Sequence, residues 1–207
     1  MKAHNMDSCV YLGPVDPPKE PGITKLFMVL PYDIAIRILG AFIPPFRSYQ
    51  KVHVDLLGPL LAVLLLAGFV TYGNSLKLVR IEFTPVEFIF LYSFLMPLFC
   101  YLIGRLGQAQ IGFLKTISLI GYSFYGHLFT LIASFLCFQE KSNFFFFICL
   151  ITFGGLSNFR LAIIYLRSIP APAVRVIICA TIGSVNILSV IFLHFAYMHR
   201  HYVYIQH

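Results

Sequence analysis

The chain has 207 residues, of which 59% are hydrophobic and 11% charged, with a formal net charge of +7. Soluble domains carry about 25% charged residues, so this composition excludes a soluble globular body as the main part of the protein. The cations stand singly between apolar stretches, which excludes a phosphate-binding surface for nucleic acid. They read instead as topology determinants and contacts to anionic lipid headgroups.

Residues 1–23 hold Pro14, Pro17, Pro18 and Pro21 with few large apolar groups, and a mobile cytosolic tail is expected there. No secretory signal pattern opens the chain, so the first span is expected to act as the membrane signal. Residues 24–55 form a juxtamembrane segment. Within it Pro31 interrupts an apolar run, Asp33 to Ile43 predicts a short helix carrying Arg37, and Pro44 with Pro45 stops it. Eleven residues are too few to cross a bilayer, so this helix is expected to lie at the interface.

Residues 56–198 contain five apolar stretches: Leu56 to Tyr72, Phe88 to Gly104, Thr116 to Phe138, Phe144 to Leu166 and Val176 to Met198. About 20 residues of helix cross the hydrocarbon core, so each stretch predicts a span. The expected fold is all-α, a polytopic bundle of five transmembrane helices with a short N-terminal interfacial helix. Thr84, Pro85 and Glu87 fit an N-cap, a first-position proline and a capping-box glutamate, so Glu87 reads as a cap and not as an intramembrane acid. Pro97 predicts a kink in the same helix.

Eight basic residues fall on one side of this arrangement: Arg37, Arg47, Lys51, Arg105, Lys115, Arg160, Arg167 and Arg175. Four fall on the other: Lys77, Arg80, Lys141 and Arg200. The excess predicts a cytosolic N-terminus and a lumenal C-terminus, with residues 199–207 as a short lumenal tail. His199, Arg200, His201 and His207 have irregular spacing, and with the nearby tyrosines they read as an interfacial belt.

His127 sits at the middle of the third span, where an ionisable side chain suggests function. Ser118, Tyr122, Gly126, Thr130 and Ser134 recur every fourth residue beside it as a small, polar stripe. Such a stripe favours close helix approach, so packing or an interhelical hydrogen bond is the preferred reading of His127 over proton relay. Arg160 in the fourth span reads as an anchor whose stem reaches the headgroups, with Arg167 on nearly the same face. Gly154 with Gly155, and Ala180 with Ser184, are further small-residue signals of helix association.

No nucleophile with a base and no usable carboxylate pair is present, since Asp55 and Glu87 fall at opposite membrane faces. Neither a GxSxG nor an HExxH motif occurs, and the five cysteines lack metal-ligand spacing, so no catalytic activity, cofactor or metal is expected. The alternative class is a small transporter, channel or lipid-moving protein using His127 and Arg160. It requires both residues to line one wet cavity, and the chain has no internal repeat to support it.

Four short motifs occur in order along the spans. The first span opens Asp55-Leu56-Leu57-Gly58-Pro59. The third contains Gly121-Tyr122 and Gly126-His127. The fourth contains Gly154-Gly155-Leu156-Ser157 followed by Arg160, and the fifth ends Leu193-His194-Phe195-Ala196-Tyr197. Together they resemble the YIP domain family, five-span membrane proteins of the early secretory pathway named for interacting with Ypt/Rab GTPases. The later motifs are most similar to the third animal paralogue. The resemblance covers roughly Leu26 to Tyr197. It implies residence in the Golgi or ER-Golgi intermediate membrane and a cytosolic N-terminus. It further implies association with another YIP family membrane protein, contacts with Rab GTPases, and a role in Golgi organisation or vesicle-mediated protein transport. The long acidic cytosolic region of the animal relatives has no counterpart here, so functions seated in that region are not carried over.

Overall fold

Apolar runs of 19 to 27 residues form five long helices in the computed structural model, which describes residues 27, 29–43, 54–77, 83–137 and 143–199. A short helix, α1 (Pro31–Phe42), precedes them. The long helices are α2 (Leu57–Ser75), α3 (Pro85–Leu106), α4 (Phe113–Leu136), α5 (Phe144–Ser168) and α6 (Pro172–Met198). Each is long and apolar enough to cross a membrane, and no strand occurs among the described residues. The expected stop at Pro44 and Pro45 lies outside the described residues. So do the expected tail at 1–23 and the basic residues Arg47, Lys51, Arg80, Lys141 and Arg200.

Burial follows position in the bundle. Helix α4 is the centre: 72% of its most apolar window is buried, against 22% for α3 at the periphery. The small, polar stripe of α4 makes this possible, because Ser118, Tyr122, Gly126, Thr130 and Ser134 all face protein. A central helix needs small groups wherever neighbours press on it from several sides. The lipid-facing side of α3 instead carries Phe90, Leu91, Phe94 and Leu95, all exposed.

Local signals set the helix ends. Thr84 Oγ1 accepts from the Glu87 N–H at 3.3 Å, and Glu87 Oε2 accepts from the Thr84 N–H at 3.0 Å, closing the capping box of α3. Pro97 lies within α3 without ending it. Pro31 opens α1 at its first turn instead of interrupting the segment ahead of it, so this helix begins two residues before the predicted Asp33. A proline is pre-organised for that position, where its missing N–H would have had no helical partner.

Two helices contain a π-helical turn, Leu150–Gly154 in α5 and His194–Met198 in α6. A wider turn leaves carbonyls free for outside donors. Thr130 Oγ1 of α4 reaches the Cys149 carbonyl at 3.4 Å, and Lys77 Nζ donates to the Ala196 carbonyl at 2.7 Å. Burial pulls the Lys77 ammonium below the usual lysine range.

Helix α1 is docked along the flank of the bundle. Its buried residues are Ile34 and Ala41, and Phe42 meets Phe129 of α4 and Phe153 of α5 edge-on, at centroid distances of 5.5 and 6.2 Å. Phe129 lies 16 residues beyond the start of α4, about 24 Å along its axis. The side of α1 turned away from protein carries Tyr32, Ile36, Leu39 and Ile43, all exposed. The helix therefore turns its cation inward and its apolar stripe outward, the arrangement suited to a hydrocarbon surround.

Candidate functional site: two buried polar clusters

The first cluster gathers one end of α2, the α4 stripe and α1. Asp55 is fully buried. Its Oδ1 accepts from the Gly58 N–H at 3.0 Å, so the carboxylate caps the first turn of α2. Its Oδ2 pairs with the Arg37 guanidinium of α1 and accepts from the Tyr122 hydroxyl at 3.0 Å. The adjacent Tyr125 hydroxyl donates to the Gly58 carbonyl at 3.0 Å. Three separate segments thus meet on one carboxylate.

The glycines of this cluster are there for contact. A Cβ on Gly58 would strike the Tyr122 phenol, and one on Gly121 would come within 2.8 Å of Pro59 Cα. Neither space exists, so both positions require glycine for the close passage of α2 over α4. The acidic-x-x-Gly-Pro opening of α2 and the Gly-Tyr pair of α4 are therefore two halves of one joint. Asp55, Gly58, Pro59, Gly121 and Tyr122 all belong to it.

Arg160 of α5 stands beside this joint, not at the end of its helix. Its Nη1 lies 3.7 Å from where a Cβ on Gly40 of α1 would be. It donates no hydrogen bond among the described residues. The Asp55 carboxylate is already engaged by three other donors.

The second cluster lies deeper, at the crossing of α3, α4, α5 and α6. Asn186 of α6 is its hub. The Tyr92 hydroxyl of α3 donates to Asn186 Oδ1 at 3.0 Å, and Asn186 Nδ2 donates to Asn158 Oδ1 of α5 at 2.6 Å. The Asn186 carbonyl accepts from His127 Nε2 of α4 at 3.1 Å. A carbonyl can only accept, so the imidazole proton sits on Nε2. His127 Nδ1 is buried and has no partner among the described residues. The ring is stacked on Phe124 at 5.5 Å.

Close contacts surround this hub. The Ser157 hydroxyl donates to the Ser123 carbonyl at 3.2 Å, and a Cβ on Gly126 would lie 2.6 Å from Ser157 Cβ. Gly154 faces Thr130, with Oγ1 3.5 Å from the Cβ position. Gly155 does not share this role: only the Leu150 carbonyl of its own helix comes within 4 Å. Ala180 and Ser184, expected to pack between helices, are both exposed on the outer side of α6.

His194 joins neither cluster. It lies in the π-helical turn of α6, with its ring on Phe146 at a centroid distance of 3.7 Å. Among the described residues no group of three or more His, Cys, Asp or Glu side chains could hold a metal ion. Sequence reasoning missed Arg37 as the partner of Asp55, and it missed Tyr92, Asn158 and Asn186 altogether. The signal for the two asparagines was available, since an amide inside an apolar span needs a partner.

No solved structure matches the chain. A family model does match it: the YIPF3 C-terminal domain, over residues 31–198. That range takes in α1, both polar clusters and all five long helices, and this protein belongs to the YIP family of membrane proteins.

Proposed function

We propose that this protein is a non-enzymatic scaffold of Golgi or early secretory membranes. It would act in Golgi organisation or vesicle traffic by associating with another YIP family membrane protein, and with Rab GTPases at its cytosolic surface. The family match supports residence in a Golgi or secretory membrane. The observation that carries the reading is the use made of Asn186: its side chain and carbonyl are both spent on holding α3, α4 and α5 to α6. Polar groups committed to helix–helix bonds build a rigid frame. The charge asymmetry of the loops favours a cytosolic N-terminus and a lumenal C-terminus.

The transport reading has less support. His127 is 1% exposed and faces Asn186, Tyr92 and Phe124. Arg160 faces Gly40 of α1. A groove of about 330 Å³ between α2, α3 and α4 is lined by groups such as Pro59, Leu60, Phe90 and Phe124, with Ser93 as its polar member. That lining suits hydrocarbon, not a solvated ion.

The test is purification from native membranes in mild detergent, with identification of co-purifying proteins. Recovery of a YIP family member together with trafficking components is the expected result. Recovery of neither would remove the scaffold reading. Tags at the two ends, probed with protease on sealed vesicles, should be cut on opposite sides.

A further inference from the structure

Among the described residues, Arg160 stands beside the Asp55 joint without an acidic partner of its own. Arg37 and Asp55 form an ion pair, and the remaining acceptor capacity of the carboxylate is taken by the Gly58 N–H and the Tyr122 hydroxyl. Arg160 Nη1 of α5 lies 3.7 Å from the Cβ position of Gly40 of α1, and no acidic side chain pairs with it among the described residues. Its guanidinium is eight residues from the end of α5 at Ser168, about 12 Å along the helix. A cation at such depth, without a counter-ion among the described residues, is costly and calls for an anion.

From this geometry we infer that Arg160, beside Gly40 where α1 meets α5, binds the phosphate of an anionic phospholipid. Three features favour this ligand. Arg160 is half-buried and not sealed in the core. The outer stripe of α1, Tyr32, Ile36, Leu39 and Ile43, is apolar and exposed, so the medium beside this helix is lipid. A planar guanidinium pairs with two phosphate oxygens at once, a geometry no lysine supplies. A Cβ on Gly40 would be in ordinary contact with Arg160 Nη1 at 3.7 Å, so a long side chain there would crowd the guanidinium. In this role α1 forms one wall of a lipid site, and Asp55 holds that wall in place through Arg37.

The test uses the full chain purified in detergent and reconstituted in nanodiscs of phosphatidylcholine, alone or with phosphatidic acid or phosphatidylinositol 4-phosphate. Bound lipid is counted by native mass spectrometry, and thermal stability is measured in each composition. The wild type should retain the anionic lipid over phosphatidylcholine and gain stability from it. Arg160→Gln should lose about tenfold in anionic-lipid affinity, and Arg160→Lys should recover part of it. Arg105→Gln removes an exposed cation elsewhere and should bind as the wild type does. The melting temperature in phosphatidylcholine alone reports whether Arg160→Gln still folds. If it does not, Gly40→Leu, which crowds the guanidinium and keeps the charge, replaces it and should lose the same lipid. Equal loss in the Arg105 and Arg160 variants would overturn the inference, because bulk charge would then suffice. So would an equal stability gain from inorganic phosphate, which would make the occupant a free anion. A co-purifying protein released only by Arg160→Gln would also overturn it, by assigning the charge to a partner's carboxylate.

Discussion

The hydroxyl of Tyr122 and the carboxylate of Asp55, 67 residues apart in the chain, meet at 3.0 Å inside the bundle. This bond places the start of α2 at the level of the tenth residue of α4 and not at its end. The same carboxylate pairs with Arg37, so α1 is held at that level too. One buried acid therefore sets the relative height of three helices.

Asp55→Asn should destabilise the protein by about 2–4 kcal/mol, because it leaves the Arg37 charge without its counter-ion. Arg37→Gln should cost at least as much, since it leaves the fully buried Asp55 carboxylate without its counter-ion. The double variant should cost less than the sum of the two. Melting curves of the detergent-solubilised variants check this through the coupling energy, and simple additivity would contradict the pair.

Tyr122→Phe should cost about 1–2 kcal/mol, the loss of a hydrogen bond to a charged acceptor with the ring packing retained. The effect should be much smaller in an Asp55→Asn background. The same melting assay reads both.

Gly121→Ala should destabilise by about 1–3 kcal/mol, because the new methyl group collides with Pro59 and α2 must move. Gly68→Ala is the matched control. Nothing lies within 4 Å of its Cβ position, and alanine is the better helix former by up to about 1 kcal/mol. It should be neutral or stabilising, and equal losses at the two sites would argue against the close passage of α2 over α4.

Asn186→Leu should strand the Tyr92 hydroxyl and the Asn158 amide together. Interhelical hydrogen bonds in membranes average about 0.6 kcal/mol each, so a total loss of about 1–2 kcal/mol is expected. Asn158→Leu in the same chain should relieve part of it. A larger melting loss for the double variant than for the two singles combined would show that the pair is not the unit.

Thr84→Ala should weaken the first turn of α3 by about 1 kcal/mol, the usual worth of such a cap. Glu87→Gln retains capping geometry and should leave partner recovery in the purification assay unchanged. Loss of partners with Glu87→Gln would mean that this carboxylate does more than cap.

Much of the frame was legible because it depends on near neighbours. Hydrocarbon thickness sets the length of an apolar run, so the five spans were found within a few residues of their ends. The Thr84–Glu87 box is a contact over three positions, and the four-residue stripe of α4 has the period of a single helix. These features need no knowledge of what lies across the bundle. Gly155 shows the limit of such reasoning: it has the same side chain and the same helix as Gly154, yet it turns away from α4.

By itself, then, the sequence determined the five long helices, their approximate lengths, the cap of α3 and the polar face of α4, because each is a local property of composition and period. Only the tertiary structure decided that Asp55 is shared by Arg37, Gly58 and Tyr122, that Asn186 gathers four helices, and that Arg160 is left over beside α1. Those outcomes depend on which helix faces which, and at what height. A polar group buried in a membrane protein must find its partner wherever packing brings one, and chain order does not encode that distance.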